Sequence, residues 1–168
     1  MTARAAGARQ AVAGRQEARG PEAGGRQAPL VAPHGVGVAQ RTLDVYLVED
    51  NVLVLESLIA ALEELAPIRI VGSAADESVA VRWLDEARMN CDLVIVDIFL
   101  RSGSGLGVIA AGRRRRPEAA LVVLSNYATD EMRARCLAAG ADHVYDKSRD
   151  IDVLVAFCIS LAHRGEPH

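Results

Sequence analysis

Apolar positions between Thr42 and Ala162 fall into two rhythms: short runs of branched residues, and longer stretches at helical spacing. Leu43–Val48, Ile68–Val71, Leu93–Val96, Leu121–Leu124 and His143–Tyr145 read as five strands. Val52–Leu65 sets Leu55, Leu58, Ile59, Leu62 and Leu65 at helical spacing, and Pro67 stops it. Further helices are predicted over Glu77–Met89, from the glycine-rich turn Ser102–Gly107 through Arg116, over Asp130–Ala139 with Gly140 at its close, and over Ile151–Ala162. Five strands alternating with five helices describe an α/β domain on a five-stranded parallel sheet. Strands rich in Val, Leu and Ile suit a sheet with helices on both faces.

Composition adjusts this picture at the edges. A chain of 168 residues has room for one ordinary domain. No apolar run approaches a membrane span, so a soluble, cytoplasmic protein with no membrane partner is expected. Cys91, Cys136 and Cys158 are odd in number and far apart, which favours reduced thiols over disulfides or zinc. His34, His143, His163 and His168 show no metal-ligand spacing either.

Residues 1–41 are unlike the rest. Six arginines stand there against Glu17 and Glu22, among Ala, Gly, Gln and Pro without apolar periodicity, so a disordered basic tail is predicted. Arg9, Gln10 and Arg15 break any secretory apolar core. An organelle transit peptide, an arm attracted to phosphate backbones and an over-extended reading frame remain open for this segment. The domain from 42 to 163 carries the chain's negative charge, and 164–168 reads as a short tail.

The polar residues at the strand ends carry the chemistry. Glu49 and Asp50 follow the first strand, Asp97 the third, Ser125 the fourth, and Lys147 the fifth. In an open parallel sheet these carboxyl ends share one edge, where ligands bind. Taken singly, each has an ordinary explanation. Asp50 sits where a helix cap belongs, Glu49 in a loop, and Ser125 with Asn126 in a turn. Asp97 is harder to explain so, because aspartate is disfavoured after a run such as Leu-Val-Ile-Val. Lys147 is the only lysine among 19 basic residues, a compact point charge where the chain elsewhere uses arginine. Gly103-Ser104-Gly105-Leu106-Gly107 matches neither a dinucleotide fingerprint nor a P-loop. A phosphatase of the haloacid-dehalogenase type would need a second aspartate where Phe99 stands.

This set, with Gly105 eight residues after Asp97, resembles the receiver domain of bacterial two-component response regulators over about Thr42–Ala162. The resemblance implies a flavodoxin-like (βα)5 fold with strand order 2-1-3-4-5. It implies Asp97 as phosphoacceptor from a kinase phosphohistidine, with Lys147 and Ser125 on the phosphoryl oxygens. Mg2+ would be bound by Glu49, Asp50, Asp97 and the Phe99 backbone carbonyl, with Asn126 and Tyr127 as phosphate-loop neighbours. Such a protein catalyses only its own phosphorylation and dephosphorylation and is not otherwise an enzyme.

Some positions depart from the family pattern. Arg101 and Ser148 stand where prolines are usual, Asn126 where a small residue is, and Val144 where the switch aromatic is, with Tyr145 one place later. Phe99 and Tyr127 are placed to crowd an attacking water, so a long-lived phosphoryl group is expected. Since 21 residues follow Lys147, a single-domain regulator is expected. It would signal through an unknown downstream protein or a phosphorelay, fed by a histidine kinase or phosphotransfer protein. The acidic domain argues against direct DNA binding, and a homodimer is compatible with the family. The alternative is a receiver-like interaction module independent of phosphorylation.

Overall fold

The computed structural model describes residues 40–86 and 90–164. The strands are β1 (Leu43–Val48), β2 (Ile68–Ala74), β3 (Leu93–Val96), β4 (Ala120–Ser125) and β5 (His143–Asp146). Between and after them lie α1 (Val52–Leu65), α2 (Glu77–Asp85), α3 (Gly105–Arg115), α4 (Asp130–Ala139) and α5 (Ile151–Arg164). All strand pairs are parallel, in the order β2-β1-β3-β4-β5.

Alternation along each central strand builds two apolar layers. Tyr46, Val48, Val94, Val96, Leu121 and Val123 pack with Ala80, Leu84, Val108, Ile109 and Cys136 on the α2–α3–α4 side. Val45, Leu47, Leu93, Ile95, Val122 and Leu124 meet Leu58, Leu62, Leu154, Cys158 and Ala162 on the α1–α5 side. Strands buried on both faces must be apolar at every position, which is why they read as unbroken runs. The three cysteines are free and buried, and burial pushes the Cys91 and Cys158 thiols up to about 11, so they stay protonated.

Differences from the sequence reading sit at element ends. β2 runs on through Gly72-Ser73-Ala74, because these small residues register against Tyr46, Leu47 and Val48. α2 stops at Asp85 with Glu86 as its cap, and the last three residues predicted for it, 87–89, lie outside the described residues. α3 starts inside the predicted turn, at Gly105, because the Ser104 side chain caps the Leu106 amide. Gly140 closes α4 at φ 112°, the left-handed conformation glycine adopts without strain. The 1–41 tail lies outside the described residues except Gln40 and Arg41, and the Arg41 guanidinium pairs with Asp92. Arg164 belongs to α5, so only 165–168 of the C-terminal tail fall outside the described residues. Among the described residues, no helix is long and apolar enough to cross a membrane.

Candidate functional site

The strand order reverses direction between β1 and β3, since β2 lies on one side of β1 and β3 on the other. Loops leaving these two strands therefore part and leave a crevice at the carboxyl edge. Glu49 and Asp97 stand at its two sides, each pinned by its backbone. The Glu49 amide donates to the Ala74 carbonyl and the Asp97 amide to the Val48 carbonyl, both at 2.9 Å.

The side chains meet there. Oxygens of Glu49, Asp50 and Asp97 lie within 4.8 Å of one another. Lys147 reaches across from the end of β5, its Nζ donating to Asp97 Oδ2 at 2.7 Å and pairing closely with Glu49. Glu49 is 3% exposed and Lys147 10%, so this is a largely desolvated pair of pairs. Burial works against the Lys147 charge, but hydrogen bonds and attraction from Asp97 and Glu49 outweigh it, leaving the pKa above the ordinary lysine value of 10.5. A raised lysine pKa gives stability that is complete below the ordinary value and is lost as pH rises through the folded one. Lys147 is thus charged and paired with Glu49 and Asp97 at neutral pH.

Ser125, the last residue of β4, is 1% exposed and its hydroxyl has no hydrogen-bond partner. An orphaned buried hydroxyl is unusual and calls for an explanation. Its carbonyl accepts the Lys147 amide at 3.2 Å, which ties the hydroxyl and the ammonium to one another through backbone. Asn126 and Tyr127 follow on the exposed loop. Tyr127 and Phe99 form an edge-to-face pair, ring centroids 4.9 Å apart, across the two loops that carry Ser125 and Asp97.

Several local roles differ from those expected. Asn51, not Asp50, caps α1, its side chain accepting the Leu53 and Val54 amides. That removes the ordinary explanation for Asp50 and leaves its carboxylate available to the cluster. Gly105 is explained by space: a Cβ there would lie 2.1 Å from the Asp97 carbonyl oxygen, so α3 can start this close to the acidic loop only with glycine. Ser148 replaces proline for a reason. Its amide donates to the buried Asp146 carboxylate at 2.8 Å, a bond proline cannot make. Bonds from the Ser148 hydroxyl and amide hold the Asp146 pKa below the ordinary aspartate value. Val144 is buried, whereas Tyr145 turns to the α1–α5 layer, where its ring packs with Phe157 and His143. Arg101 takes the usual proline position and its guanidinium lies 3.4 Å from the Asp50 carbonyl.

Sequence reading missed Glu77, which accepts the Ser104 amide at 2.8 Å and so braces the β3–α3 loop. An acid opening a helix signals little beyond favourable charge at its N-terminus. It also missed Arg133, whose contacts only the folded chain brings together.

Hard carboxylate oxygens at this separation suit a divalent ion such as Mg2+ and would be poor ligands for soft metals. The unpartnered Ser125 hydroxyl on the same edge leaves one donor free for a further anionic group. Fold and site together define the receiver class, an open parallel sheet with an acidic pocket and a lysine at its switch point. A family profile, the response regulator receiver domain, matches residues 45–158, and the chain belongs to that family. Protein-glutamate methylesterase/protein-glutamine glutaminase 5 of Anaeromyxobacter dehalogenans is 33% identical over 119 residues, 70% of this chain and 32% of that protein. Transcriptional regulatory protein LiaR of Bacillus subtilis is 27% identical over 124 residues, 73% of this chain and 57% of LiaR. The receiver domain of NarL from Mycobacterium tuberculosis superposes with a TM-score of 0.65 at 21% identity, over 75% of this chain and 99% of that one. The chain spans 32% of the length of the first of these curated relatives and 57% of the second.

Proposed function

We propose that Asp97 accepts a phosphoryl group from the phosphohistidine of a histidine kinase or phosphotransfer protein. One observation carries this reading: Lys147 Nζ lies 2.7 Å from Asp97 Oδ2, beside Glu49 and Asp50, at the crevice between β1 and β3. An Asp97 carboxylate oxygen attacks phosphorus. The P–N bond to imidazole breaks as the P–O bond forms, and the imidazole nitrogen leaves with the bonding pair. Such transfers ask the protein mainly for position and charge. Lys147 shifts from the carboxylates to a phosphoryl oxygen, and the Ser125 hydroxyl donates to another. Glu49, Asp50 and Asp97, with the Phe99 carbonyl, are the groups that would hold Mg2+, which when bound neutralises phosphoryl and carboxylate charge. Val52 and Leu53, 58% and 74% exposed at the start of α1, offer the phosphodonor protein an apolar foothold.

The chain in this reading turns over no external substrate. Its output is a changed surface over α4, β5 and α5, read by a partner protein or passed on as phosphate. The acidic charge of the domain from Thr42 onward favours a protein partner over direct contact with DNA, although relatives include transcriptional regulators. Val144 at the aromatic position favours one second reading, a module that binds partners without phosphorylation.

Titration with beryllofluoride and Mg2+, followed by amide NMR, separates the two. A saturable response at Ser125 and Lys147 that needs both components is expected. A spectrum unmoved by either supports the module. The aromatic pair gives a kinetic prediction: Phe99→Ala opens the water path and shortens the phosphoryl half-life severalfold. An unchanged dephosphorylation rate would remove Phe99 from the account.

A further inference from the structure

Arg133, the fourth residue of α4, joins the two loops that would hold a phosphoryl group, although nothing in the proposed chemistry uses it. Its Nε donates to the Ala128 carbonyl at 3.1 Å, on the loop that follows Ser125. Nη1 donates to the Val144 carbonyl, on the strand that leads into Lys147. Nη2 lies 3.7 Å from Asp150 Oδ2, and that same oxygen accepts the Asp146 amide at 2.8 Å, one residue before Lys147. One guanidinium thus touches the Ser125 loop, β5 and the turn that carries Lys147.

The chemistry of the fork makes this particular to arginine. Five N–H donors in one rigid plane reach two carbonyls and a carboxylate spread over three segments, whereas the three donors of an ammonium radiate from a single atom and cannot span them. The acceptors need such a donor. β5 is the edge strand, so its outer carbonyls have no neighbouring strand to satisfy them. The Arg133 and Asp150 side chains are about a third exposed, at 34% and 28%, so plain charge attraction between them is screened and geometry carries the effect. Val144, moreover, has no ring to link loop and strand, and Tyr145 packs in the opposite layer.

We propose that Arg133 is a positioning residue for phosphoryl binding: it holds the Ala128 segment against β5 so that the Ser125 hydroxyl and the Lys147 ammonium converge on one group. The inference rests on Asp97 being the phosphoacceptor. Its test separates two affinities in the full chain, for Mg2+ alone and for beryllofluoride at saturating Mg2+. Glu49, Asp50 and Asp97 are untouched by Arg133, so Arg133→Gln is expected to leave Mg2+ affinity at the wild-type value. Beryllofluoride affinity should fall roughly tenfold, the scale of one lost hydrogen bond to a charged group. Arg133→Lys, which folds more readily if the glutamine variant does not, is expected to recover only part of that loss.

Equal beryllofluoride affinity in wild type and either variant overturns the role of Arg133 alone. Parallel loss of both affinities, tracking a fall in thermal midpoint, overturns it in favour of a purely structural arginine. Wild-type protein blind to beryllofluoride overturns the Asp97 reading itself, and this inference with it.

Discussion

Asparagine at position 97 is expected to abolish phosphoryl incorporation while the fold stays intact. The substitution is nearly isosteric, and one amide oxygen can still accept from Lys147, which donates to Asp97 Oδ2 at 2.7 Å in the native chain. What disappears is the nucleophile: an amide nitrogen shares its lone pair with the carbonyl and cannot attack phosphorus. One negative charge also leaves a cluster of three acids and one ammonium, so stability should hold or rise, by about 1 kcal/mol at most. Incubation with a low-molecular-weight acyl phosphate and Mg2+, followed by intact mass, gives the measurement. Wild type should gain one phosphoryl group and Asp97→Asn none. Undiminished labelling of the variant would move the acceptor to another residue, with Ser125 and Asp50 the nearest candidates.

Lys147→Met is expected to have the second largest effect, and on two quantities. Methionine fills the stem's volume but leaves Glu49, 3% exposed, and Asp97 without their shared cation. Breaking a buried pair from one side costs on the order of 3 kcal/mol, because the remaining charge is desolvated and unmatched. The deficit should narrow as pH rises through the raised Lys147 pKa, where the native ammonium loses its charge. It should narrow also with added Mg2+. Beryllofluoride binding should be lost even where Mg2+ has restored stability, because no side chain replaces the ammonium on the bound group. Urea denaturation across pH, with and without Mg2+, reads the first quantity, and NMR titration the second. Stability equal to wild type at neutral pH without Mg2+ would mean that the ion pair is idle.

Much of this architecture could be read from the pattern of residues. β1, β3, α1 and α4 fall where periodicity put them, because unbroken apolar runs and strong stops at Pro67 and Gly140 leave little freedom. Elements ending in small or polar residues were harder: β2 gains Gly72-Ser73-Ala74 only because a neighbouring strand registers against them. The strand-end residues were legible as a group, since a parallel sheet gathers its carboxyl ends whatever the side chains. Their individual duties were less so. Asp50 and Asn51 are adjacent and both good caps, and only the fold shows that Asn51 accepts the α1 amides. Arg133 was invisible for a different reason, because two backbone carbonyls and one carboxylate from separate segments define it, and carbonyls leave no mark on a sequence.

The resting grip of Lys147 on both Glu49 and Asp97 has a consequence for the proposed phosphoryl transfer. In the proposed reaction, an arriving phosphoryl group can recruit the lysine only by taking it from two acids that then need another counter-ion. Release of one partner and capture of the next are reciprocal. Under the proposed phosphoacceptor reading, the protein would behave as a lock with two keys, a phosphodonor and a supply of free divalent salt, neither turning it alone.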